Sequence, residues 1–226
     1  MKTVGIIGGM GPEATILLMQ KVLNATPARD DADHIPLIVH QNPAVPSRLN
    51  WLLAGTGDNP GPVLAQMARD LAAAGAMALA MPCNTAHAYA PQIIAATPLP
   101  FLDMRSATVA TLPKGRIGML ASPAVRLTGA FDAEMNDAGL SPVFPVDEAP
   151  VLALIRRVKA GDTGPQARAA MAVLAENMAP YCDHLLIACT ELSLLTDALP
   201  FHLPWTDSLD CLVAAILDFA TSPASH

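Results

Sequence analysis

Two cysteines in this chain sit in matching surroundings. In "ALAMPCNTAHAYAPQIIAATPLPFLD", Cys83 follows a short apolar run and precedes an apolar helical pattern that closes on Leu-Pro, an aromatic residue and Asp. In "LLIACTELSLLTDALPFHLPWTD", Cys189 holds the same place. A thiol can serve as nucleophile, metal ligand or acid/base, and its company decides which. The chain has no C-x-x-C pair and no spaced Cys/His cluster, so neither a metal nor a redox role is expected. No Cys/His/Asn arrangement with evident spacing points to acyl transfer. A thiolate and a thiol on opposite sides of one carbon can instead remove a proton from one face and return one to the other, inverting a stereocentre without a cofactor. Cys182 and Cys211 lack this context and read as small buried hydrophobes.

Such chemistry needs elements that bring the cysteines together. The start of the chain is echoed as well: "VGIIGGMGPEAT" reappears as "IGMLASPAVRLT", with Gly5 over Gly118, Thr15 over Thr128 and Ser122 in the second glycine-turn position. Short apolar runs alternate with Ala/Leu-rich helical patterns, which is the signature of βα units around a mostly parallel sheet. Strands are expected over 3–7, 37–40, 76–81, 116–120 and 184–188, and helices over 13–24, 62–74, 85–95, 129–138, 149–160 and 166–178. The fold class is α/β: two pseudo-symmetric α/β half-domains with mostly parallel sheets and the active site in the cleft between them. Residues 1–100 with 207–226 form the expected N-terminal half, and 101–206 the C-terminal half. Each cysteine then falls where a strand ends and a helix begins, where helix amides are expected to lower a thiol pKa below about 8.5.

Composition bounds the partners. Of 226 residues, 52% are hydrophobic and 15% charged, which suits a chain with a buried sheet and excludes disorder. A net charge of -7 argues against nucleic acid or an anionic membrane as partner, and no apolar run reaches the roughly 18 residues that span a bilayer. The protein is expected to be cytoplasmic. "GGMGPEA" contains the G-x-G-x-x-A spacing of a dinucleotide fold, but "LIVHQNP" supplies no acidic residue for a ribose, so that reading fails. The segment "QNPAVPSRLNWLLAGTGDNPGP" reads as a long loop, with Arg48 in the middle of a candidate lid.

"GIIGGMGPEAT", "MPCNTAH" and "ACTELSLL" resemble the three signatures of the aspartate/glutamate racemase family, in its aspartate racemase branch, and the likeness runs over essentially the whole chain. The resemblance implies a pyridoxal-phosphate-independent racemase, commonly a homodimer, acting on a small dicarboxylic amino acid. It assigns Cys83 and Cys189 as the two acid/bases. It also implies that Asn84, Thr85 and Thr190 bind the α-carboxylate, that Arg48 and Lys159 grip the distal carboxylate, and that Met10 lines the cleft. His87, Glu191 and Ser122 are further candidates; His87 could equally be structural, and Glu191 could simply favour a helix start. Glu191 stands where glutamate racemases of the wider superfamily carry a His after Cys-Thr, which points to aspartate.

The main expectation is interconversion of L- and D-aspartate, with glutamate also possible, and no cofactor. Two alternatives stay open: a maleate isomerase-like or decarboxylase-like member of the same superfamily, and a non-catalytic protein that binds dicarboxylates.

Overall fold

The computed structural model describes residues 1–223, and the final three residues of the expected N-terminal half, 224–226, lie outside the described part. Among the described residues, eight strands make two sheets. The first has order β2-β1-β3-β4, built from β1 (Val4–Gly8), β2 (Leu37–Gln41), β3 (Ala78–Ala80) and β4 (Phe101–Leu102). The second has order β6-β5-β7-β8, from β5 (Arg116–Ala121), β6 (Ser141–Val143), β7 (His184–Ala188) and β8 (Trp205–Asp207). Every pairing is parallel, and the two strand orders are the same permutation. The echo in the sequence is therefore an echo in topology. All five residues of β1 are buried, as a parallel strand covered on both faces requires.

Helices α1 (Pro12–Ala25), α2 (Gly61–Ala73), α3 (Ala90–Ala96) and α4 (Met104–Val109) follow the strands of the first half. The remainder are α5 (Pro123–Leu127), α6 (Asp132–Ala138), α7 (Ala149–Lys159), α8 (Pro165–Met178) and α9 (Ser208–Thr221). Leu64, Met67 and Leu71 of α2 pack with Ile7 and Leu79 on one face of the first sheet. Leu18 and Val22 of α1 pack with Val4 and Ile6 on its other face, where Leu209, Leu212 and Ile216 of α9 join them. The second sheet is covered by α7 and α8 through Val151, Ile155, Val158 and Met171, and on the opposite face by Val125, Phe131 and Met135. Each such Leu, Ile or Met stabilises the fold by roughly 1.5–3 kcal/mol relative to an exposed side chain.

The Asp that closes each repeat has a local job. Asp103 caps α4 by accepting the Arg105 N–H at 2.8 Å, and Asp207 caps α9 by accepting the Leu209 N–H at 2.9 Å. In α7, buried Val151, Leu154, Ile155 and Val158 follow the i, i+3, i+4, i+7 stripe of a helix lying on a core. That stripe sets the face from which Ile155 and Lys159, one turn apart, reach the cleft.

Some elements differ from the sequence reading. The helix expected over 85–95 begins as a 3-10 turn, Thr85–Tyr89, and becomes α-helical only at Ala90; Pro91, in the first turn of α3, has no N–H to continue a ladder back through that turn. The edge strands β4, β6 and β8 are only two or three residues long, and Pro142 lies within β6, where an edge tolerates it. The long proline- and glycine-rich loop contains one π-helical turn, Asn50–Ala54, ended by Gly55 at φ +61°.

Three glycine contacts shape the segments that open the two halves. Gly9 has φ +95°, and a Cβ there would lie 2.5 Å from the Asn42 backbone, so the glycine lets the loop after β1 pass against the loop after β2. Its N–H donates to Thr15 Oγ1 at 3.0 Å, closing the turn on its own helix. Gly118 in β5 lies beneath Cys182, and a Cβ would sit 2.6 Å from its Sγ; Gly5 lies in the same way beneath Ala76, at 2.9 Å from its Cβ. Cys182 thus fills in the second half the place that Ala76 fills in the first. Gly118→Ala is expected to lower stability by about 1–3 kcal/mol in urea denaturation, through overpacking against Cys182 and Leu185. A variant as stable as the parent would show that this contact is not tight.

Candidate active site

The C-terminal ends of the parallel strands converge on one cavity. It is lined from the first half by Met10, Ser47, Arg48, Leu49, Cys83 and Thr85, and from the second by Ser122, Ile155, Lys159, Cys189 and Glu191. Met10 and Ser122 follow β1 and β5, the matching central strands; Cys83 and Cys189 follow β3 and β7. Arg48 comes from the connection after β2, and Lys159 from the connection after β6. Each half therefore contributes one thiol and one cation from equivalent parts of its topology. Crevices at the carboxyl ends of parallel strands are the usual ligand sites of such sheets.

Arg48 is held by backbone oxygens: its guanidinium donates to the carbonyls of Pro46 at 3.1 Å, Val45 at 3.4 Å and Met10 at 3.4 Å. Among the described residues it makes no salt bridge, leaving its charge uncompensated at the cavity wall. Lys159 stands 2.5 Å from Glu191 Oε1, and the Cys189 thiol donates to Glu191 Oε2 at 3.1 Å. Burial by itself lowers the Lys159 pKa, but Glu191, with the two cysteines, outweighs it and holds the ammonium above its ordinary value.

The Cys189 thiol departs from the sequence expectation. Burial first, and the Glu191 carboxylate next, push it well above the ordinary thiol range, although Lys159 pulls the other way. Its following segment is the 3-10 turn Leu192–Ala198, too short and irregular to act as the end of an α-helix. The Cys189 thiol is thus held protonated, not activated by a helix terminus. Cys182 and Cys211 are buried away from the cavity, with Cys182 donating to the Met178 carbonyl at 3.3 Å.

Three candidates stand behind the cavity wall. Asn84 Nδ2 donates to Ser208 Oγ at 2.9 Å, and Ser208 donates on to the Ile187 carbonyl at 2.9 Å. Thr190 Oγ1 donates to the Pro82 carbonyl at 3.0 Å. His87 is fully buried; its Nδ1–H donates to the Cys83 carbonyl at 2.8 Å, and its Nε2 accepts the Met104 N–H at 3.3 Å. Thr85, by contrast, lies in the wall, with its hydroxyl 2.9 Å from Ser122 Oγ across the two halves. The sequence reading did not single out Ser47, Leu49 and Ile155. Ile155 was within reach of periodicity, being one turn before Lys159 on the same helix; Ser47 and Leu49 simply flank Arg48 in a loop without period.

Comparison with known proteins gives a consistent picture. A family model for Asp/Glu/hydantoin racemases matches residues 7–216. The broad specificity amino-acid racemase RacX of Bacillus subtilis is 24% identical over 217 residues, covering 92% of this chain and 94% of that protein. The solved structure of Picrophilus torridus aspartate racemase superposes with a TM-score of 0.88 at 28% identity, over 100% of this chain and 96% of that one. Glutamate racemase from Francisella tularensis shares the fold at a TM-score of 0.68 and 14% identity, over 96% and 80% of the two chains. Among the described residues there is no helix long and apolar enough to cross a membrane, and no cluster of side chains able to hold a metal ion.

Two outcomes test this electrostatic picture. Removing the Glu191 charge lowers the Cys189 pKa, so in Glu191→Gln the pH profile of Cys189 alkylation, followed by peptide mass spectrometry, is expected to move to lower pH. An unmoved profile would mean that Glu191 does not govern this thiol. Burial chiefly, with Arg105, lowers the His87 pKa from 6.5 to about 4 against the pull of Asp103 and the Cys83 carbonyl. The folded state thus favours neutral imidazole; that stability is complete above pH 6.5 and is lost as pH falls toward 4. Over that window the parent is expected to lose on the order of 3 kcal/mol relative to His87→Gln in urea denaturation. Asp207, raised to about 6 mainly by burial, changes in the opposite sense but is common to both proteins and cancels. Parallel stability curves would contradict the buried neutral His87.

Proposed function

The chain belongs to the Asp/Glu/hydantoin racemase family, and from that membership we propose that it interconverts L- and D-aspartate by a cofactor-independent, two-thiol proton transfer at Cα. As a member of this family it is an amino-acid racemase, an isomerase. One observation carries the proposal: Cys83 and Cys189, from equivalent strand ends of the two halves, line a single cavity together with one cation from each half.

In the proposed reaction, the thiolate of one cysteine takes the Cα proton while the electron pair moves into the α-carboxylate as an enediolate. The other thiol then delivers its proton to the opposite face of Cα. Thiol and thiolate have exchanged places by the end, and the reverse direction uses them in the opposite order. The protonated Cys189 suits the donor role in one direction. In place of the expectation that both cations grip the distal carboxylate, the proposal gives Arg48 and Lys159 one carboxylate each, because Asn84 and Thr190 do not line the cavity, and the Thr85 and Ser122 hydroxyls supply hydrogen bonds from opposite halves.

Aspartate is preferred over glutamate on the likeness to the Picrophilus aspartate racemase, with glutamate as a slower substrate, since one methylene is worth about 1–3 kcal/mol. The proposal includes a cytoplasmic homodimer. Ile16, Met19 and Leu23 make an exposed apolar strip on α1 of the kind that a second subunit covers.

Incubation of the protein with L-aspartate in deuterated water, without added cofactor, is expected to give Cα deuteration together with loss of optical activity. Absence of both would overturn the reading. Cys83→Ala and Cys189→Ala are each expected to lower racemisation by about 10²–10⁴-fold or more with the fold retained. Arg48→Ala is expected to raise KM for aspartate more than it lowers kcat; unchanged kinetics would remove Arg48 from the site.

A further inference from the structure

The cavity is nearly two-fold in its chemistry, and one residue breaks the symmetry. Cys83 answers Cys189, and Arg48 answers Lys159. Two residues after each cysteine the halves differ: the first has Thr85, a neutral hydroxyl, and the second has Glu191, whose carboxylate is buried in the wall. The charged groups lining the cavity are thus two cations and one anion. An amino dicarboxylate carries the complement, two carboxylates related by a near mirror and one ammonium that has no counterpart.

Building on the aspartate reading above, we infer that Glu191 receives the α-ammonium of the substrate and thereby makes the site select an amino dicarboxylate over a plain one. Distances support this placement. Glu191 Oε2 is 3.1 Å from the Cys189 sulfur, the atom that must approach Cα. The substrate nitrogen is one bond from Cα, which brings that same oxygen within its reach. Glu191 Oε1 lies 2.5 Å from Lys159 Nζ, so a substrate carboxylate arriving at Lys159 competes with Glu191 for its cation. The ammonium compensates Glu191 for that loss. A dicarboxylate without an amino group has nothing to offer, and leaves a buried carboxylate short of a partner next to an incoming one. Pairing also keeps the α-nitrogen protonated, in the form that withdraws electrons from Cα and eases removal of its proton.

Titration calorimetry of the full chain with L-aspartate and with succinate, parent against Glu191→Gln, tests the assignment without relying on turnover. The parent is expected to bind aspartate more tightly than succinate. In Glu191→Gln, aspartate is expected to weaken by about ten-fold or more while succinate tightens, because Lys159 is released and the anionic clash is removed. A parent that binds aspartate no more tightly than succinate overturns the inference, with no need of the variant. A variant in which both ligands shift in the same direction by the same factor also overturns it, since a merely structural role for Glu191 would do that. Deuterium exchange on the parent decides separately whether aspartate is racemised: failure there removes the proposed reaction, while the ratio of the two affinities still decides what Glu191 reads.

Discussion

The hydrogen bond from Thr190 to the Pro82 carbonyl ties the residue after one cysteine to the residue before the other. In the proposed reaction two acid/base groups reach opposite faces of a single carbon and tolerate little relative movement, because proton transfer needs near-contact geometry. The fold answers this demand with a buried seam. Asn84, beside Cys83, donates to Ser208 at the start of α9, and Ser208 donates in turn to the Ile187 carbonyl of β7. Thr85 and Ser122 meet across the same seam. Side chains that read at first as substrate-binding candidates, Asn84 and Thr190, make direct hydrogen bonds that keep the two cysteine loops in register. Such bonds, shielded from water, are costly to break without replacement.

Much of this was legible in the residues because the chain says nearly the same thing twice. The central strands β1, β5 and β7 are largely buried apolar runs and stand out by composition, and α1, α2, α7 and α8 show through their periodicity, whereas α4, α5 and α9 were not read from the sequence. The cavity-lining pair Cys83 and Cys189 stood out through the repeat. What did not show were the edge strands β4, β6 and β8, too short for a period to register, and the 3-10 turns after the cysteines, which share the composition of a helix but not its hydrogen bonding. The electrostatic state of Cys189 was misjudged for the same reason. A strand-to-helix junction suggests an amide terminus that lowers a thiol pKa, whereas burial and a carboxylate two residues on raise it.

Symmetry and its breaking divide the work of the site. The repeated parts, two thiols and two cations, suit whatever is common to both enantiomers and both carboxylates. On the proposed reading, departures from the repeat carry direction and selectivity. Glu191 stands opposite Thr85, and buried neutral His87 in the first half corresponds to Ser193 in the second, where the Ser193 hydroxyl donates to the capping Asp207 at 2.7 Å. The two cysteine loops are therefore propped by different chemistry although they descend from the same topology. Their thiols need not behave alike, and a racemase has no need that they should.

Helix α9 also has a consequence for how the chain reaches this state. Leu209, Leu212 and Ile216 complete the apolar layer that Val4, Ile6 and Leu18 begin, so contacts in the first core span nearly the whole length of the sequence. Contacts of such separation slow folding, because a long stretch of chain must be ordered before they form. During synthesis the first sheet emerges early, yet the face that α1 covers only in part stays incomplete until α9 is made, while the second sheet already has α5 to α8 around it. The half made first is the half finished last.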